Sequence, residues 1–450
     1  MKRLNLRLIA ILSASLVAAG VCVFGLHRFQ VNRHAEGLLR RADLAEADGE
    51  TRTAIANLSR YVQQRPEDGA VFARMAMLQE ESTQDRRIER REFQATSQLL
   101  EKAIRQNPEH EELRRRAAEF YLRFGRSKDA IDHLSVLSAS EDSQTQMLLA
   151  RAYAGTAEFD KAEELLKKMV GYSAANDEFD VTLATASEEV PAYSLLAEIY
   201  RTQRSDAALG TRVMDTCVQA NPVSAAAYLA RGRYRFAMAR MAEADQAEKA
   251  TAEGKVDIRK AAEIAPDDEN VIAAIADVEL LAGNNDEAKS WLQRGIAKFP
   301  ESEQFYRMQE SSAFRQKQPA DAREILSAGL ERLPDSWTLL LMRAEIDLAT
   351  GDLDATLQAV EKLQDFPQVE VLANYLSAQV KLAQRKWRPA SNQFEELLPD
   401  LMTQRPDLGP QAYTALAQCY ESLGQTDRQR EANRQLLELK PTAWEGHYSE

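Results

Sequence analysis

Four prolines keep an almost constant step along the chain: Pro266, Pro300 and Pro334 are 34 and 34 residues apart, and Pro367 follows after 33. Each closes a stretch in which apolar residues recur at three- and four-residue spacing, as in IAKFP and LERLP, and acidic or polar residues follow that can cap a new helix. Proline cannot continue a helix, so its recurrence marks a repeated turn. A fixed period of this length constrains the fold more than any composition does, because each unit must bury its apolar face against copies of itself.

Alignment on these turns exposes a second regularity. The eighth position of eleven successive units is Ala42, Ala76, Ala117, Ala150, Ala197, Ala230, Ala276, Glu310, Ala344, Ala378 and Ala417. Twelve residues on, Ala54, Ala162, Ala288, Ala322 and Ala390 recur, and seven after that stand Gly295 and Gly329. Small residues at fixed places in two successive helices let those helices approach closely, while Leu58, Leu166, Leu292 and Leu326 fill the gap to the next pair. The spacing predicts an all-α array of helix hairpins.

On these residues the chain resembles the tetratricopeptide repeat (TPR) family, over roughly residues 35–441. The resemblance implies an α-solenoid of about eleven helix-turn-helix units, wound as a right-handed superhelix whose inner surface is lined by the first helices. Units near 269–300, 303–334, 35–66 and 143–170 are clear, whereas those around 190–222 and 223–266 are degenerate. Glu310 departs from the pattern. Insertions fall near 82–92, 171–189 and 237–255, and each reads as a solvated linker or a helix extension. Asn176, Asp177, Glu178 and Asp180 lack the alternation and closing Glu of a calcium loop. Residues 442–450 read as the start of a further, incomplete repeat without a polar cap.

The N-terminus carries a different signal. Residues 8–26 (LIAILSASLVAAGVCVFGL) hold nineteen residues without a charge, after Lys2, Arg3 and Arg7. At about 1.5 Å per residue this nearly covers a hydrocarbon core of roughly 30 Å, and only a helix satisfies its backbone there. The reading is a short basic cytoplasmic stretch (1–7), a transmembrane signal anchor (8–27) and a linker (28–34), with the body extracytoplasmic at the cell membrane, periplasmic in a bacterium. The alternative is a secreted protein whose signal is cleaved near Ala18-Ala19-Gly20.

Function classes narrow by exclusion. The chain carries 57 Lys+Arg against 70 Asp+Glu, a net charge of −13, so no cationic footprint for nucleic acid is expected. The three cysteines (Cys22, Cys217, Cys419) and five histidines show no metal-ligand or disulfide spacing, and no cofactor is implied. No G-x-x-x-x-G-K-[ST], H-E-x-x-H or G-x-S-x-G occurs, so the chain is not expected to be an enzyme. The expectation is a membrane-tethered scaffold for protein–protein interaction. The TPR resemblance puts groove-facing positions at the second, fifth, ninth and twelfth of each unit, giving Arg151, Arg231, Tyr234, Arg307, Tyr375, Gln379 and Gln418 as candidate partner-binding residues. Tyr and Arg combine area with directed polar groups. The partner is expected to be a protein offering an extended or helical segment. Chaperone-tail docking is disfavoured, because the clamp positions hold Ala273 and Asp277 or Leu341 and Glu345. Two other readings stay open: the regulatory or substrate-presenting part of a larger enzyme continuing past residue 450, and self-association.

Overall fold

The computed structural model describes residues 33–440 except 85–87, 89, 138–141, 174 and 187. The segment read as a membrane anchor, the basic stretch before it, Cys22 and the incomplete repeat after Pro441 lie outside the described residues. Among those described, no helix is long and apolar enough to cross a membrane. The chain divides into two compact units, Met1–Pro222 and Val223–Glu450.

The first unit pairs its helices as α1 (33–47) with α2 (Thr51–Gln64), α3 (Gly69–Glu81) with α4 (Arg90–Gln106), and α5 (Glu111–Arg123) with α6 (Ser127–Leu134). Two further pairs complete it, α7 (Ser143–Gly155) with α8 (Phe159–Val170) and α9 (Val190–Thr202) with α10 (Ala207–Ala220). The second unit holds six: α11 (Ala225–Ala239) and α12 (Ala244–Ile264), α13 (Glu269–Ala282) and α14 (Asn285–Lys298), α15 (Glu303–Arg315) and α16 (Pro319–Arg332). Then come α17 (Trp337–Ala349) and α18 (Leu353–Leu363), α19 (Glu370–Ala383) and α20 (Trp387–Gln404), α21 (Gly409–Ser422) and α22 (Thr426–Leu439). Helices adjacent in sequence pack on each other within each unit.

The entry to a hairpin is set by a proline and a cap two residues on. Pro66 precedes Asp68, which caps α3 by accepting from the Val71 amide at 3.2 Å. Pro266 precedes Asp268, which accepts from Val271 at 3.0 Å, and Pro334 precedes Ser336, which accepts from Leu339 at 3.2 Å. A capping side chain satisfies one of the amides a helix start leaves unpaired, and its loss costs about 1 kcal/mol. The same junctions carry a second repeated bond. Ser302 Oγ donates to Glu269 at 2.6 Å and Ser336 Oγ to Glu303 at 2.7 Å, tying each first helix to the start of the next. Pro367 behaves differently from its periodic neighbours: it opens a short 3₁₀ turn, Pro367–Val369, that leads into α19, and Pro406 does the same before α21.

The turn inside five of the six hairpins of the second unit is equally regular. One residue adopts a left-handed backbone: Gly283, Lys317, Gly351, Arg385 and Gly424 in the second unit. The next amide reaches back over that turn, from Asn284 to the Glu279 carbonyl (2.9 Å), Gln318 to Ala313 (3.0 Å), Asp352 to Asp347 (2.8 Å), Lys386 to Lys381 (2.9 Å) and Gln425 to Tyr420 (2.8 Å). This is the six-to-one closure that recovers a carbonyl otherwise orphaned at a helix end.

Packing follows the small residues. Ala276, Ala344 and Ala378 on first helices, and Ala288, Ala322 and Ala390 on second helices, are fully buried. A Cβ at Gly295 would sit 2.6 Å from Phe305 Cδ1, and one at Gly329 2.9 Å from Leu339 Cδ1, so the second helix lies against the following first helix with no room for a methyl. Leu292 packs with Ile272, Ala276 and Phe305, while Leu326 packs with Tyr306, Leu339 and Ile346. The core of the second unit is therefore a chain of small clusters, whereas in the first unit one cluster runs from Ala35 on α1 to Ala152 on α7.

Two insertions take definite form. Residues 171–189 include an antiparallel pair, Tyr172–Ser173 against Glu178–Phe179, rather than a plain solvated loop. Tyr172 donates to Asp177 at 2.8 Å, and Arg212 of α10 donates to the Asp177 carbonyl at 2.7 Å. Within 237–255 the chain lengthens α12 to 21 residues, which fits its alanine-rich composition.

A left-handed backbone costs a non-glycine residue about 1–2 kcal/mol, partly balanced by the extra freedom glycine has when unfolded. Lys317 is exposed with φ of 60°. Lys317→Gly is expected to stabilise the second unit by about 0.5–1 kcal/mol, measured by urea unfolding; a loss of stability would contradict this account of the turn.

Candidate functional site

The first helices carry the residues singled out from sequence, and the structure divides them. Tyr234 is only 7% exposed and is core rather than surface. Arg231 is committed to Asp257, donating through Nε at 3.0 Å and Nη2 at 2.7 Å. Neither side chain can meet a partner while keeping its present surroundings. Arg307 is exposed, with Glu303 one turn before it at 3.7 Å. Arg151 is exposed on α7, in the first unit.

The remaining three come together. Gln379 Nε2 donates to the Tyr375 hydroxyl at 2.9 Å, and the Tyr375 ring lies edge-on to Phe394 of α20 with centroids 6.0 Å apart. Gln379 and Gln418 line one open cleft of about 470 Å³ between α19 and α21, together with Leu382, Thr414 and Lys440. A half-buried tyrosine held by packing, next to two amides, can grip a peptide through both area and backbone hydrogen bonds. Burial pushes the Tyr375 hydroxyl up from its ordinary range, so it stays a neutral donor and acceptor.

Buried carboxylates form a second feature of the hairpins. In three hairpins of the second unit an acid is buried and clamped by arginine, as Glu80 of α3 is in the first unit by Arg116 and Arg123. Asp257 takes Arg231 and Arg235; Asp347 takes Arg323 (2.8 Å) and Arg343 (3.0 Å); Glu279 takes Arg259 (3.0 Å) and Asn284 (2.6 Å). Burial works to raise the Glu279 pKa, but the bonds from Asn284 and Arg259 outweigh it and hold the carboxyl below its usual range. Arg259 and Arg323 belong to the second helix of the preceding hairpin, so these pairs staple neighbours together.

The hairpin of α15 and α16 breaks this pattern. Where Glu279 and Asp347 stand in the flanking first helices, α15 has Ala313, and its buried acid lies one turn earlier at Glu310, where the other units hold alanine. Glu310 is 6% exposed, and among the described residues no hydrogen-bond donor or cation reaches it. Burial raises its pKa, and the charge of Glu345 on α17 raises it further. Glu345 is itself open to solvent yet walled closely enough that desolvation lifts it, with Arg405 pulling the other way.

Family comparisons agree with the hairpin geometry. Tetratricopeptide-repeat family models match residues 87–152, 311–369 and 410–442, and these segments are tetratricopeptide repeats. No curated protein matches the chain. Among solved structures, yeast Tom70 is 15% identical over 93% of this chain and 94% of its own, with a TM-score of 0.39. The Cut9 and Hcn1 hetero-tetramer of the APC/C is 11% identical over 92% of this chain and 95% of that one, also at 0.39. YrrB, described as a TPR protein with an unusual peptide-binding site, is 12% identical over 43% of this chain and 96% of its own, at 0.34.

A carboxyl whose folded pKa lies above its unfolded value holds its proton more tightly when folded. It therefore costs no stability below the ordinary Glu pKa of about 4.3 and an increasing amount as pH rises through the folded value. Glu310→Gln is expected to raise the melting temperature at pH 8 by a few degrees and to leave it unchanged at pH 3.5, read by calorimetry. An equal shift at both pH values would contradict the assignment of a strained, unpartnered carboxyl.

Proposed function

We propose that this chain is a non-catalytic, membrane-tethered scaffold whose hairpin array, residues 35–441, holds a segment of a protein partner at the cell envelope. The observation that carries the reading is the recurrence of one hairpin through both units, each copy presenting the outer face of its first helix. Such a surface binds extended or helical segments side by side with its own helices. The contact set proposed on it is Arg151, Arg307, Tyr375, Gln379 and Gln418. Arg231 and Tyr234 would take part only by leaving the contacts described above. Tethering rests on residues 8–27, whose length, apolarity and preceding basic charges suit a signal anchor that places the array outside the cytoplasm.

Capture from solubilised membranes tests the binding face. The full chain is expected to retain a partner set that the triple variant Arg307→Ala, Tyr375→Ala, Gln379→Ala loses by tenfold or more, about the effect of removing one interface anchor. Identical sets would sink the contact assignment. For the tether, the full-length protein is expected to stay with the membrane under alkaline carbonate, and its release would rule out a spanning helix.

A further inference from the structure

We propose that the cleft where α14, α15 and α16 meet receives one acidic side chain, glutamate or aspartate, of a protein segment, with Lys289 as its cation. The site is separate from the contact set proposed on the first helices, so either can fail without the other. The cleft measures about 520 Å³, and its lining includes Lys289, Gln293, Gln309, Ala313 and Gln318.

The repeat itself identifies what this cleft lacks. Each of those five residues stands 34 positions, one repeat, before a member of a closed polar cluster at the next junction: Arg323, Ser327, Arg343, Asp347 and Asp352. There the buried Asp347 accepts from Arg323 at 2.8 Å and from Arg343 at 3.0 Å. Arg323 also holds Asp352 at 2.5 Å, and Arg343 donates to Ser327. At the junction before, Glu279 is held by Arg259 at 3.0 Å and Asn284 at 2.6 Å. At the middle junction both acids are gone, replaced by Ala313 and Gln318, while a cation remains as Lys289. Among the described residues the side chains of Lys289, Gln293, Gln309 and Gln318 have no ion-pair or hydrogen-bond partner. Space has opened where both neighbouring junctions hold a carboxylate, and the groups able to receive one stand unused.

The lining also defines the ligand. Ala313 is only 6% exposed and closes the site on the protein side, whereas Lys289, Gln293 and Gln318 are exposed, so the acid arrives from solvent. One ammonium and the amide N–H groups match a single carboxylate, and the amide carbonyls are left to accept from peptide N–H groups beside it. The volume lies within the usual range of ligand clefts, about 300–1,000 Å³, which leaves room for the residues flanking the acid. Asp286, Asp321 and Glu324 line the cleft as well. Their charge repels a polyanion and favours basic neighbours, so the segment carries a lone acid among neutral or basic residues.

The test combines peptide binding with a mutant cycle, using the full chain in a nonionic detergent. The probe is a rhodamine-labelled heptapeptide, blocked at its C-terminus, with glutamate at its centre, alanine on either side and lysine at both ends; its control has glutamine at the centre. Fluorescence anisotropy is expected to show the glutamate probe binding at least tenfold more tightly than the control. Lys289→Gln is expected to erase that preference. Ala313→Asp, which supplies the missing acid from within, is expected to weaken glutamate-probe binding at least tenfold. Lys362→Gln, which removes an exposed charge on α18, and the triple variant Arg307→Ala, Tyr375→Ala, Gln379→Ala are each expected to change it less than about twofold. In thermal melts Lys289→Gln is expected to shift the parent by less than about 1 °C, but to lower the melting temperature of Ala313→Asp by about 4 °C or more, because it then strips a buried acid of its partner. A parent that binds both probes equally, a preference that survives Lys289→Gln, or additive melting shifts would overturn the proposal. Loss of glutamate-probe binding in the triple variant would place the peptide on the first-helix contact set and overturn it too.

Discussion

Helices in this protein touch where side chains are smallest, and the rest of its organisation depends on that contact. Ala276 and Ala288 are fully buried within a hairpin, and Gly295 against Phe305 between hairpins leaves no space for a methyl group. A helix pair drawn that close has a narrow apolar seam and cannot bury it alone, so it must be covered by the next pair. The consequence in the second unit is a core made of small linked clusters rather than one mass. Stability in such an array is local, a sum of hairpin and neighbour terms.

The staples between hairpins show how charge is used under the same constraint. Arginines on second helices reach forward to acids on the next first helix, as Arg259 does to Glu279 and Arg323 to Asp347. Two serines at helix starts reach back, Ser302 to Glu269 and Ser336 to Glu303. In the α15 hairpin the forward staple is missing, because Ala313 stands where its neighbours have the acid, and the carboxylate has moved one turn along the helix to Glu310. Glu310 thus marks a gap in a structural pattern, which is why it stands out against its surroundings.

Much of this was legible before any coordinates. The proline step and the alanine positions gave the hairpins, the close contacts and the filling leucines, because steric size and loss of an amide act locally and show directly in the letters. Other features were hidden for equally physical reasons. The left-handed turn residue is glycine at 283, 351 and 424 but lysine at 317 and arginine at 385, so the closing hydrogen bond forces a conformation the residue type does not announce. Pro367 keeps the period yet starts a 3₁₀ turn, since a fixed φ suits either role. Tyr234 and Arg231 fit the groove spacing, but spacing does not reveal that one is swallowed by the core and the other claimed by Asp257. Glu310 was visible as a departure from pattern; that nothing pairs with it was not, because ion pairing depends on which arginines the neighbouring helices bring near.

The account stands on close contact between nearest neighbours, and amide hydrogen exchange on Ala276→Leu examines that directly. Ala276 is fully buried at the seam of α13 and α14. The enlarged side chain is predicted to strip protection from α13 and α14, weaken it in α12 and α15, and leave α18 to α22 as in the parent. Protection lost evenly through the whole second unit would show a single cooperative core and contradict the picture of hairpins held by their neighbours.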